Sequence, residues 1–197
     1  MASSKKGRLS VILISIGAAF ILLAAAYGIY VMVSANNAVA DNEKIIKLAE
    51  EIMPPIREAF PEERGNNTMP AAELNGVNVA GIIELPDYGA KLPLRSSWDA
   101  NAVKGIPCRY DGSVYNRTLM IGAVDGAGQF DFAAEMSVED KLFLTDMSGD
   151  RYSYTVESIK HSTSFDADKW QAEEYDLTVF VKNSFTGEYT VIYLTAK

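Results

Sequence analysis

The sequence predicts a mainly β fold: a closed eight-stranded barrel with short helices, preceded by an N-terminal transmembrane helix. Three observations carry this expectation. Residues 9–40 hold no charged side chain, and residues 9–33 are dominated by Ile, Leu, Val, Ala and Phe. Residues 75–197 contain about eight short apolar runs separated by turn signals. The chain has one cysteine and one histidine in 197 residues, which excludes an internal disulfide, a Cys-based zinc cluster and paired-histidine chemistry.

The elements follow in order. Residues 1–8 form a short tail carrying Lys5, Lys6 and Arg8. Residues 9–33 would span about 37 Å as a helix, enough to cross a hydrocarbon core of roughly 30 Å. Tyr27 and Tyr30 lie toward its far end, where aromatic rings settle at a membrane interface. The basic cluster sets the N-terminus on the cytoplasmic side and the C-terminal domain outside. Ala38-Val39-Ala40 resembles a signal-peptidase site, but the apolar run is too long for a signal peptide, so an uncleaved anchor is the preferred reading.

Residues 34–74 read as a juxtamembrane helix and linker. Ile45, Leu48, Ala49, Ile52 and Met53 recur at helical spacing, Asp41 or Asn42 is placed to cap the start, and Pro54-Pro55 ends the helix. This stalk is expected to lie on the next domain or on the membrane. Residues 56–60 are expected to add a helical turn, and residues 61–68, with Gly65-Asn66-Asn67, a flexible linker.

Strands are expected at 80–85, 90–94, 119–124, 141–145, 151–159, 177–181 and 189–194, with short helical pieces at 98–103, 132–136 and 166–172. The turns are Pro86-Asp87-Tyr88-Gly89, the loop 146–150 and Thr186-Gly187. So many short strands favour closure, which removes unpaired edges.

Charge narrows the partners. Residues 41–197 hold 15 basic against 26 acidic side chains, a balance that argues against binding a phosphate backbone. Nucleic acid is not an expected partner.

Four motifs occur in sequence: Ile106-Pro107-Cys108-Arg109-Tyr110, Leu119-Met120-Ile121-Gly122-Ala123-Val124, Leu142-Phe143-Leu144-Thr145-Asp146 and Tyr175-Asp176-Leu177-Thr178-Val179-Phe180. In this order the chain resembles a class B/D-type sortase, one of the membrane-anchored cysteine transpeptidases of Gram-positive bacteria. The resemblance covers nearly all of residues 70–197 and runs without a gap from Leu119 to Asp146. It implies an eight-stranded barrel that cleaves a sorting signal through a Cys thioester and passes it to an amine, using a Cys nucleophile, a His acid/base and an oxyanion-stabilising Arg.

All three catalytic groups are missing from the corresponding positions. The His position falls on Val124, the Cys position on Lys182, and the Arg position on Tyr189, or on Thr190 if the turn shifts by one residue. Arg151 is the last arginine in the chain. Acyl transfer needs a nucleophile, a proton carrier and oxyanion donors, and their removal abolishes most of the rate enhancement. No catalytic, cofactor or metal site is therefore expected.

Other candidates have milder readings. Cys108 is expected to pack in the core and His161 to be a solvated surface residue. A Lys182–Ser184 dyad would require the two side chains to share a strand face; a lysine with packed stem and wet ammonium is preferred. Gly126-Ala127-Gly128 lacks the third glycine of a dinucleotide loop. Asp125, Asp131, Asp166, Asp168, Glu173 and Glu174 read as solvated carboxylates rather than calcium ligands, having no regular spacing.

The expected function is a catalytically inactive, sortase-like surface protein that holds a peptide or a surface-protein or pilin partner at the cell envelope. The alternatives are an active transpeptidase or hydrolase using non-standard residues, and a structural envelope scaffold.

Overall fold

The computed structural model describes residues 3–61, 68–126, 128–171 and 174–197, with side chains from residue 13. Most of the linker expected at 61–68, with Gly65-Asn66-Asn67, lies outside the described residues, as do Ala127, Ala172 and Glu173.

Helix α1 runs without a break over Ser3–Ile52. The anchor and the stalk are thus one helix, not two, and neither Asp41 nor Asn42 caps a new start. The reason is local: residues 34–40 are Ser-Ala-Asn-Asn-Ala-Val-Ala, with no Gly or Pro to interrupt the hydrogen-bond ladder. The first part is long and apolar enough to cross a membrane, and its described side chains, Leu13 to Val33, are exposed. The last part lies on the barrel, where Ile45, Ile46 and Ala49 are buried against Leu74, Val79, Ile82 and Ile106. Asn42 uses its side chain here, donating Nδ2–H to the carbonyl of Gly105 at 2.8 Å.

Pro54-Pro55 ends the helix, and the chain continues extended. Strand β1, Arg57–Ala59, pairs in parallel with β8, Asp150–Ser162, so the helical turn expected at 56–60 is a strand. Arg57 donates its backbone N–H to Gly149 at 2.9 Å and its guanidinium pairs with Asp150. Gly149 sits at φ +79° with the Pro54 and Pro55 carbonyls against it, a position closed to any side chain.

Strand β2, Ala72–Leu74, forms a hairpin with β3, Val77–Leu85, through Asn75-Gly76, both at positive φ. This two-residue turn matches the twist of the flanking strands. A domain boundary at residue 75 cuts the hairpin, and the sheet begins upstream of it.

The remaining strands are β4 (Ala90–Arg95), β5 (Cys108–Asp111), β6 (Leu119–Val124), β7 (Lys141–Asp146), β9 (Leu177–Lys182) and β10 (Tyr189–Ala196). Following their pairing, β8-β10-β9-β6-β5-β4-β3-β7 returns to β8, a closed barrel of eight strands with β1 and β2 appended. Its interior is filled by Ile83, Leu94, Ile121, Leu144, Tyr152 and Val179, among others. Burial of these side chains at roughly 1.5–3 kcal/mol each supplies the principal driving force.

The short helices are shorter than expected. Residues 166–172 give α2, Ala167–Trp170, capped by Asp166; residues 98–103 give a 3-10 turn at Ala102–Lys104. Residues 132–136 form turns closed by Ala133 N–H to Phe130 O and Glu135 N–H to Phe132 O.

Candidate functional site

Strands β6 and β9 are parallel, so both end at the same rim of the barrel, and their register sets Val124 directly beside Lys182. Strand β10 runs antiparallel to β9 and sets Tyr189 opposite Lys182, while Thr190 pairs with Val181. Alternation along the strands does the rest. Ile121, Ala123, Val179 and Val181 point into the barrel, whereas Met120 and Phe180 join an outer cluster with Val191 and Tyr193. Val124, Lys182 and Tyr189 share the parity of the outer face. The Lys182 ammonium lies 6.0 Å from the centre of the Tyr189 ring.

The rim is locked by the turn that follows each strand. The Asp125 backbone N–H donates to Lys182 O at 3.0 Å, Ser184 N–H donates to Asp125 Oδ1 at 2.6 Å, and the Ser184 hydroxyl donates to Asp125 O at 2.7 Å. This disposes of the strand argument for a Lys182–Ser184 dyad. β9 stops at Lys182, so the two side chains are not alternate members of one strand, and the Ser184 hydroxyl bridges the rim.

Below the rim the outer face is aromatic. Phe180 is 1% exposed and its ring lies 5.4–5.8 Å from those of Trp98, Tyr110, Phe165 and Trp170. Tyr189 contacts Phe165 at 5.7 Å and Trp170 at 5.2 Å. Gly122 makes this possible: a Cβ there would collide with both Trp98 and Phe180. Trp98 and Phe165 remain 38% and 44% exposed. The sequence scatters these rings over residues 98–189, so no local pattern announces the cluster; the one available signal is Gly122 at an outward strand position.

Above the rim a cleft of about 810 Å³ opens between the barrel and α1, lined by Tyr27, Tyr30, Lys104, Val124, Lys182 and Phe185. The position of the helix on the barrel thus makes one wall of the site.

The thiol and the imidazole are elsewhere. Cys108 is fully buried in β5, opposite Gly122, and donates Sγ–H to Ile106 O at 3.4 Å. Burial pushes its pKa up to about 11. Burial therefore favours the neutral thiol, a contribution to stability present below the ordinary thiol pKa and lost as pH rises toward about 11. The folded chain is expected to resist iodoacetamide at pH 7.5 and to react stoichiometrically once unfolded in guanidinium; rapid labelling of the native chain would contradict this burial. His161 is exposed within β8, and its Nδ1 lies 3.4 Å from the Thr190 hydroxyl in the adjacent strand.

Three of the carboxylates considered for calcium are engaged locally. Asp125 accepts from Ser184, Asp131 accepts from the Gly126 N–H, and Asp166 caps α2 and pairs with Lys169. Among the described residues no three His, Cys, Asp or Glu side chains converge. Gly126 and Gly128 adopt positive φ in the loop after β6.

No family model matches the sequence, and no curated protein sequence matches it. Solved structures do. Sortase C from Clostridium perfringens SM101 is similar over 60% of this chain and 70% of its own, at 18% identity and a TM-score of 0.52. A lid mutant of sortase A from Corynebacterium diphtheriae covers 60% and 70% at 17% identity and a TM-score of 0.54. Sortase C1 from Streptococcus suis covers 60% and 73% at 13% identity and a TM-score of 0.54. The closed barrel, the parallel pair β6/β9 at its rim and these similarities agree on one architecture: the chain has the sortase fold.

Proposed function

We propose that this chain is a membrane-anchored, non-catalytic member of the sortase fold that holds a peptide or a surface-protein or pilin-type partner at the outside of a Gram-positive cell. The observation that carries the reading is the register of the rim. Val124, Lys182 and Tyr189 are brought side by side on one face, and together they supply neither a thiolate nor an imidazole. An aliphatic side chain moves no proton; of the remaining candidates for that chemistry, Cys108 is fully buried opposite Gly122 with its thiol donated to Ile106 O, and His161 pairs with Thr190 rather than with Tyr189.

What the face does offer is contact. Half-exposed Trp98 and Phe165 present ring surface, and the Lys182 ammonium stands at its upper margin. Both sides of β9 are already paired, by β6 and β10, so a partner docks through its side chains rather than by adding a strand. Aromatic rings with a neighbouring cation suit a peptide of apolar residues ending in a carboxylate.

The test uses the full chain displayed on intact cells with a photo-crosslinking amino acid at position 182. Protease added outside should remove the barrel, and illumination should join the chain to added sorting-signal peptides. A covalent peptide adduct formed in the dark, with turnover, would make the protein an enzyme; a barrel protected from external protease would reverse the topology.

A further inference from the structure

The β9–β10 loop carries a side chain that the binding reading leaves unused. Phe185 is 98% exposed, the highest value for any large apolar side chain among the described residues. The loop is braced to hold it there. Asn183 Oδ1 accepts the N–H groups of Phe185 and Thr186 at 2.9 and 2.8 Å, Asn183 and Gly187 close the turn through backbone bonds, and Ser184 ties the loop to Asp125. A rigid turn presenting a bare phenylalanine exposes apolar surface at a cost unless something apolar meets it.

Its position says what meets it. Phe185 lines the cleft together with Tyr27, Tyr30 and Val31, which occupy the last turns of the apolar segment before Ser34. Those turns are where a membrane-crossing helix leaves the hydrocarbon, and tyrosines mark that level. The height of the barrel above it is fixed, because α1 is continuous and is held to the barrel by the Asn42–Gly105 hydrogen bond and by buried Ile45, Ile46 and Ala49. Val33 to Asn42 is nine residues, about 14 Å of helix, so there is no slack to lift the rim away. Lys104, Lys182, Asp125 and Asp131 line the same cleft, the two carboxylates accepting backbone N–H groups, so its charges balance and the insertion rests on the Phe185 ring.

We infer that the β9–β10 loop inserts Phe185 into the interfacial zone of the bilayer crossed by α1, so that the barrel's rim rests on lipid. The inference depends on the membrane-anchor reading, and the experiment separates the two. Phe185→Cys is labelled with an environment-sensitive fluorophore in the full chain, reconstituted in phosphatidylcholine–phosphatidylglycerol vesicles; buried Cys108 leaves the new thiol as the reactive one. Lys197→Cys, on the exposed residue beyond the far end of β10, serves as the distal control.

The label at 185 should brighten several-fold, shift to the blue and be quenched by lipids bearing a nitroxide high on the acyl chain. The label at 197 should do none of these. A chain that floats with vesicles while the label at 185 emits as in water overturns the loop insertion alone. A blue shift without nitroxide quenching means that protein covers Phe185, and overturns it too. A chain that fails to float overturns the anchor and the insertion with it.

Discussion

The variant carrying Val124→His, Lys182→Cys and Tyr189→Arg together should form an acyl adduct at position 182 with sorting-signal peptides and hydrolyse them slowly, whereas the natural chain and each single variant should stay at the no-enzyme rate. This outcome follows if the three positions correspond to the catalytic ones, as proposed, because the register sets them side by side. Adjacent strands are about 4.8 Å apart, so side chains at the paired positions 124 and 182 fall within hydrogen-bond reach. Position 189 faces 182 across an antiparallel pair at about 5 Å, near enough for a guanidinium to meet an oxyanion. Single variants fail because the three groups act as a unit: a thiol without a base holds little thiolate at neutral pH, and a base without a nucleophile has nothing to activate. Position 189 is chosen over 190 because Thr190 pairs with Val181, which faces inward. Intact-protein mass spectrometry reads the adduct. Turnover by the natural chain, with an adduct on Lys182, Ser184 or Cys108, would sink the non-catalytic reading.

The second large effect concerns stability. Phe180→Ala should cost about 3–5 kcal/mol in urea unfolding of the full chain in detergent micelles, the range for removing a buried aromatic ring. Phe180 is nearly fully buried and is ringed by Trp98, Tyr110, Phe165 and Trp170, so truncation leaves a cavity between groups that come from four separate segments. Phe180→Leu should lose less than half as much because it refills most of that volume. Phe185→Ala, five residues on and almost bare, should change stability by no more than about 0.5 kcal/mol. A Phe180→Ala loss as small as that of Phe185→Ala would show that the rings merely touch.

Much of the barrel was legible because its strands announce themselves locally. Residues 119–124 are a continuous apolar run and form β6 at those bounds; the alternation of Tyr152, Tyr154 and Val156 marks the inward face of β8. Strands β1 and β5 were illegible for the opposite reason. Arg57-Glu58-Ala59 and Cys108-Arg109-Tyr110-Asp111 carry no apolar period, and each exists because a neighbour supplies hydrogen bonds. β2 was hidden by its length, although Asn75-Gly76 advertises the hairpin that makes it. The helix posed a different difficulty. Pattern reading divides a membrane segment from an amphipathic one by the change in hydrophobicity, but the backbone continues wherever nothing breaks it, as between Val33 and Asp41.

The pairing of Val124 with Lys182 was legible from the ordered motifs, since it needs only that the two strands be neighbours. The rest of the site was not. Its wall is a helix that begins more than 80 residues upstream of Val124, and its aromatic floor is assembled from side chains whose partners are distant in sequence.

The unbroken helix also bears on how the proposed membrane-anchored chain would meet a partner. A barrel on a flexible tether samples a hemisphere above its anchor point, and its partners are met in three dimensions. On the proposed anchor, a barrel clamped to this helix would not pivot about its stalk; it would tilt only as the helix tilts in the bilayer, and otherwise spin and drift within the plane. Encounters would then take place in a thin layer of fixed height, between molecules moving laterally in the same sheet. A partner tethered at the matching height gains effective concentration from the confinement, whereas one held higher is out of reach whatever its affinity.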